Sequence, residues 1–148
     1  MSDEYTISSD PDRLDRDWIH KVISTETYWA PGRTREDMDT AIEHSLPYGL
    51  YDRDGRQLAF ARLVTDRAYF GWLSDVFVDR EARGKGLSKL LMQHLLADAE
   101  RMKLKRVVLA TDDAQGLYRQ FGFTEIDDDY SWMYKVWPGR DSPGPAAS

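Results

Sequence analysis

The chain contains no cysteine. Disulfides, thiolate metal sites and a cysteine nucleophile are therefore excluded. Its three histidines, His20, His44 and His94, are scattered without metal-ligand spacing. No apolar run is long enough to cross a bilayer. The start, Met1-Ser2-Asp3-Glu4-Tyr5, is acidic where a signal peptide would be apolar. These absences predict a cytoplasmic protein with no membrane contact and no metal. Positive charge is also short: 20 Lys and Arg against 26 Asp and Glu leave a net charge of −6. A nucleic-acid binder needs a basic footprint, so no nucleic-acid partner is expected. The acidic balance mildly favours a cationic small substrate, although solubility alone accounts for it. The chain holds no internal repeat.

What is present fits one globular domain of 148 residues, 41% hydrophobic and 31% charged. Residues 1–137 read as that domain. The Pro/Gly/Ser/Ala-rich stretch 138–148 reads as a disordered tail. Tyr5 to Ser8 predicts a first strand. Asp10-Pro11 predicts an N-cap and first helical residue, with a helix to about Ser24 carrying Leu14, Trp18, Ile19, Val22 and Ile23. Thr25 to Thr34 is a loop, and Arg35 to His44 a second helix. Three strands follow at Pro47–Tyr51, Gln57–Thr65 and Tyr69–Val78. Short turns join them into an antiparallel meander. Leu87 to Met102 is an amphipathic helix, and Arg106 to Thr111 a buried strand. Ala114 to Gln120 is a short helix closed by Gly122. Thr124–Ile126 and Tyr130–Val136 complete the pattern as strands, whose exposed edge is suited to pairing in a homodimer. The fold class is thus α/β with a mixed sheet: a meander, then a strand–helix–strand crossover, then a C-terminal helix and strands.

The segment richest in chemistry is Arg83-Gly84-Lys85-Gly86-Leu87-Ser88, placed between strand and helix. Glycines let the backbone approach an anion, and the helix start offers unpaired N–H groups at a positive dipole end. A Walker A loop does not fit, because Asp79 stands where its first glycine belongs. A dinucleotide fingerprint fails at Lys89, where its third glycine belongs. What remains is Arg-x-x-Gly-x-small, read by Arg83, Gly86 and Ser88.

Here the chain resembles the GCN5-related N-acetyltransferases, whose Arg/Gln-x-x-Gly-x-Gly/Ala turn opens a long helix. Downstream, Ala114-x-x-Leu117-Tyr118-x-x-x-Gly122-Phe123 is similar to a second segment of that family, with Thr111 at its Asn position. Ser88 departs from the usual Gly or Ala. The resemblance in element order covers about Tyr5 to Trp137. It implies an N-acetyltransferase that moves the acetyl group of acetyl-CoA to a primary amine by direct attack in a ternary complex. The implied acceptor is a small or amino-acid-like molecule. A non-catalytic acyl-CoA-binding module and a protein lysine or N-terminal acetyltransferase are the alternatives.

By that resemblance Tyr118 is the general acid. A phenol, with a reference pKa of about 10, stays protonated at neutral pH and can donate to a leaving thiolate. Val76, Phe77 and Val78 would pair with the pantetheine arm. Arg83, Gly84, Lys85, Gly86, Leu87, Ser88 and Lys89 would cradle the pyrophosphate, with Thr111 and Tyr118 completing the cofactor contacts. Asp75 and Glu26 are candidate bases. Tyr28, Trp29, Phe70, Trp72, Tyr130 and Trp132 are candidate walls of the acceptor site.

Overall fold

The computed structural model describes residues 4–127 and 129–138. The expected tail, apart from Pro138, lies outside the described residues. Five strands form one sheet in the order β1 (Thr6–Ser8), β2 (Leu46–Tyr51), β3 (Gln57–Thr65), β4 (Phe70–Val78) and β5 (Arg106–Val108). The first four run antiparallel, and β5 lies parallel to β4. Local chemistry explains the meander. The Asp52 carboxylate accepts the N–H groups of Asp54 and Arg56, and Gly55 takes a left-handed φ of +84° between them. Asp66 accepts from Ala68, Tyr69 and Phe70 and so turns β3 into β4.

Helices cover both faces of the sheet. On one face lies α3 (Leu87–Arg101), which buries Leu87, Leu91, Met92 and Leu95 against Ala59, Ala61, Leu63 and Leu73. Fully burying one leucine contributes about 1.5–3 kcal/mol, so this stripe anchors the crossover. On the other face lie α1 (Arg16–Glu26) and α2 (Arg35–Glu43). Their Ile19, Val22, Ile23, Met38 and Ile42 pack with Phe60 and Phe77. The short α4 (Gln115–Arg119) packs Leu117 and Tyr118 on the α3 side.

Three expectations are corrected. The first helix does not begin at Pro11. Asp10 caps a 3₁₀ turn over Pro11–Arg13, and Asp15 caps α1 by accepting from the Trp18 N–H. Two acidic caps in tandem divide what looks like one helix. The last crossover strand stops at Val108 rather than Thr111, because β4 and β5 part company there. No strand forms at Thr124–Ile126 or among the described residues of 129–138. Tyr130, Met133, Tyr134, Val136 and Trp137 are exposed there. Strand propensity measures fit to a half-buried pleated surface, and without a ladder partner it does not make a strand.

His94 gives the fold a pH signature. Burial beside Tyr48, with the rings 6.0 Å apart, and the charge of Arg101 push its pKa below the usual histidine value. The unfolded chain then binds more protons than the native one as pH falls through about 6.5. Stability should drop as pH falls from 7 through the lowered pKa of His94, and His94→Gln should flatten that slope in urea titrations. Asp39, held below the usual carboxylate range, should add its loss only below about pH 4. Its burial opposes that shift, and hydrogen bonds from Arg16 and Arg35 outweigh it.

Candidate active site

The site starts from one extra residue in β4. Along β3 the step from Phe60 to Arg62 is two residues, while their β4 partners, Phe77 and Ser74, are three apart. This is a β-bulge. Asp75 sits in it with φ of +55°, a left-handed conformation that Asp tolerates better than most residues. The extra residue puts Ser74 and Asp75 together on the face opposite Leu73 and Val76, and Arg62 reaches both.

Asp75 is wholly buried. Its Oδ1 accepts the Trp29 indole N–H at 3.0 Å. Its Oδ2 accepts from Arg33 at 2.8 Å and from Arg62 Nε at 2.6 Å. Arg62 also donates to Ser45 and Ser74. Such charge-assisted bonds are the strong class. Two guanidiniums and an indole thus occupy the oxygens of Asp75, one of the two candidate bases, and the side chain is fully buried. Glu26, the last residue of α1, faces Arg80 at 2.9 Å with its side chain 25% exposed.

The bulge coincides with a gap. β5 pairs with β4 only at Phe70, Gly71 and Trp72, whereas β4 keeps its β3 ladder to Val78. Beyond Trp72 the two parallel strands have no ladder between them. At the end of the gap lies the glycine turn. Gly84 and Gly86 have φ of +82° and +76°, and a Cβ built on either meets nothing within 4 Å. Gly86 caps α3 without a side-chain hydrogen bond, so the first N–H groups of the helix are left for a ligand. A cleft of about 240 Å³ opens there, lined by Val76, Val78, Gly84, Gly86, Ser88 and Leu117 among others. These features fit a phosphate-bearing ligand.

Of the predicted cradle, Arg83 is exposed and leans back along its own strand end. Its Nε donates to the Val78 carbonyl at 3.0 Å and its guanidinium lies over Phe77. Lys85 and Lys89 are exposed. Tyr118 is 2% exposed, edge-on to Phe123, and lines a second cleft of about 310 Å³ with Leu109, Thr111 and Gln115. The Thr111 hydroxyl accepts from the Ala114 N–H and shapes the entry to α4.

The aromatic candidates separate. Tyr28 and Trp29 lie at the gap, edge to face. Phe70 belongs to the opposite end of β4 from the glycine turn and pairs with Arg106, over whose guanidinium Trp132 lies. Trp72 closes the β5 ladder. Tyr130 is 79% exposed. Thus Phe70 and Trp132 are not gathered at the gap. Arg33 and Arg62 are the residues that sequence reasoning missed. The signal for Arg62 was a charged residue inside the apolar strand Leu58–Val64.

The family described as Acetyltransferase (GNAT) family matches residues 10–123. The chain belongs to the GNAT acetyltransferases. A crystal structure of a Xanthomonas campestris pv. campestris protein belonging to the GNAT family superposes with a TM-score of 0.86. It is 42% identical and covers 94% of this chain and 97% of its own. Serotonin N-acetyltransferase 2, chloroplastic, of Oryza sativa subsp. japonica is 34% identical over 103 residues, 66% of this chain and 52% of that protein. A GNAT acetyltransferase of Elizabethkingia anophelis, solved with acetyl-CoA bound, shares the fold with a TM-score of 0.63. It is 16% identical and covers 85% of this chain and 80% of its own. This GNAT chain is thus an acetyl-CoA-dependent acyltransferase with a five-stranded mixed sheet.

Asp75→Ala should be severe. It leaves two guanidiniums, 10% and 12% exposed, without their shared anion. Removing one partner of a buried ion pair costs about 3–5 kcal/mol. Urea unfolding measures this directly, and a loss below about 1 kcal/mol would mean the cations find other partners.

Proposed function

We propose that this GNAT chain transfers the acetyl group of acetyl-CoA to the primary amine of a small molecule, by direct attack in a ternary complex. The observation that carries this reading is the β4–β5 gap running into an uncapped helix start. The thioester of acetyl-CoA supplies the activated acyl group. The chain's own residues bind, orient and protonate. Backbone N–H groups from Gly84 to Lys89 hold the pyrophosphate, with Lys85 and Lys89 adding charge at the mouth. Backbone groups of Val76, Phe77 and Val78 receive the pantetheine arm as an added strand, and a β4 N–H near the bulge polarises the acetyl carbonyl. Tyr118 donates its phenolic proton to the departing sulfur. Glu26, in contact with solvent, is the remaining candidate to accept the amine proton.

A small acceptor is favoured over a protein because the loop 27–34 lies across the gap. Tyr28, Trp29 and Arg33 fasten it to elements on both sides. The rice relative's name, a serotonin N-acetyltransferase, agrees with a small amine. The exposed apolar residues between Tyr130 and Trp137 support a homodimer in which a second copy covers them.

Acetyl-CoA should raise the melting temperature of the wild type by binding the native state alone. Gly86→Glu should lose that shift, because a carboxylate enters the anion site. A folded Gly86→Glu protein that still responds would place the cofactor elsewhere. Tyr118→Phe should lower turnover by about 10²-fold, the lower end for general acid catalysis, while leaving acetyl-CoA affinity nearly intact. Unchanged turnover with the best amine from an acceptor screen would remove Tyr118 from the mechanism.

A further inference from the structure

Residues 27–34 connect α1 to α2, and each of their fastenings is explicit. Ala30-Pro31-Gly32-Arg33 forms a turn in which the Arg33 N–H donates to the Ala30 carbonyl at 3.2 Å. Proline stands at its second position and Gly32, with φ of +78°, at its third, as a type II turn requires. The Gly32 N–H donates to the Ser24 carbonyl, and His20 Nε2 lies 2.8 Å from the Arg33 carbonyl. The loop is thus folded against its own helix and projects Arg33 at a fixed angle.

Its outward fastenings reach both banks of the gap. On the β4 bank, Trp29 and Arg33 converge on Asp75, and Glu26 just before the loop meets Arg80 beyond β4. On the β5 bank, the Tyr28 hydroxyl accepts the N–H of Asp112, between β5 and α4, at 3.0 Å. Asp75 and Asp112 lie where the two parallel strands have already separated. The loop therefore crosses the gap and is tied down at each side.

We propose that this loop is a fixed roof over the reacting end of acetyl-CoA, that it excludes water from the thioester, and that Asp75 is the positioning residue that holds it down. The proposal rests on the cofactor placement given under Proposed function. Asp75 touches no reacting atom. It acts through Trp29 and Arg33, which it fastens, and its place in the bulge ties the roof to the strand that receives the cofactor. A thioester exposed to water loses its acyl group to hydrolysis, so a closed roof preserves it for the amine.

The test separates roof from scaffold. Tyr28→Phe removes the hydroxyl that accepts from Asp112 on the β5 bank. Arg33→Lys weakens the β4-bank one while keeping its charge. Acetyl-CoA affinity is measured by calorimetry, thiol release without amine by a thiol reagent, and transfer with the best amine from an acceptor panel. In both variants acetyl-CoA affinity should stay within about twofold, amine-free thiol release should rise by roughly threefold or more, and the ratio of transfer to hydrolysis should fall. A general loss of structure would lower all three readouts together. Amine-free release that is unchanged, or that falls in step with transfer, overturns the roof alone. A wild type that does not bind acetyl-CoA overturns the cofactor placement and the roof with it.

Discussion

The carboxylate of Asp75 is the interaction on which the rest of the site depends. It is a buried anion shared by two guanidiniums and an indole N–H drawn from a loop and from β3. The three donors lie 46, 42 and 13 residues away in sequence. One bulge residue therefore fixes β3, β4 and the α1–α2 loop relative to one another. Burying such charges is costly, and an apolar cluster of equal volume is often as stable. What the ions add here is direction. Apolar contacts would let the loop slide, whereas Trp29 and Arg33 reach Asp75 along defined hydrogen-bond axes.

The same stretch of β4 borders the gap. β5 follows β4 for three residues and then leaves it. The backbone of β4 beyond Trp72 is left with one ladder instead of two. Inside a protein, unpaired N–H and C=O groups are expensive unless water or a ligand reaches them. The gap is in effect a sheet edge turned inward, and its cost is tolerable because the cleft beside Gly84 and Gly86 opens it to solvent and ligand.

Much of this was legible in the sequence where chemistry is local. The glycine turn, the start of α3 at Leu87 and both ends of β3 follow from periodicity and turn residues within a few positions. The Pro31-Gly32 turn was visible as a loop, though not what it aims. Asp75 was read as a base because a carboxylate near a cofactor strand suggests one. Its partners are 42 and 13 residues distant, and no local pattern reveals that two arginines converge on it. The C-terminal strands failed for the opposite reason: Tyr130, Trp132, Tyr134 and Val136 alternate well, but alternation describes a surface and says nothing of whether a partner lies against it.

Charge placement then explains how an acidic chain can hold a polyanion. The chain carries a net charge of −6, and the arginines near the gap are already engaged. Arg33 and Arg62 serve Asp75, and Arg83 braces Val78. A cradle built on Arg33 and Arg62 would have to give up its own supports to bind phosphate. Backbone N–H groups at an uncapped helix start need no such exchange, since they point outward before the ligand arrives and cannot be drawn away by an ion pair. In the proposed placement, glycine at positions 84 and 86 gives those groups access, and exposed Lys85 and Lys89 supply long-range attraction. Under the proposed cofactor placement, recognition of the anion falls to the main chain, while the buried charges of Asp75, Arg33 and Arg62 hold the architecture in place.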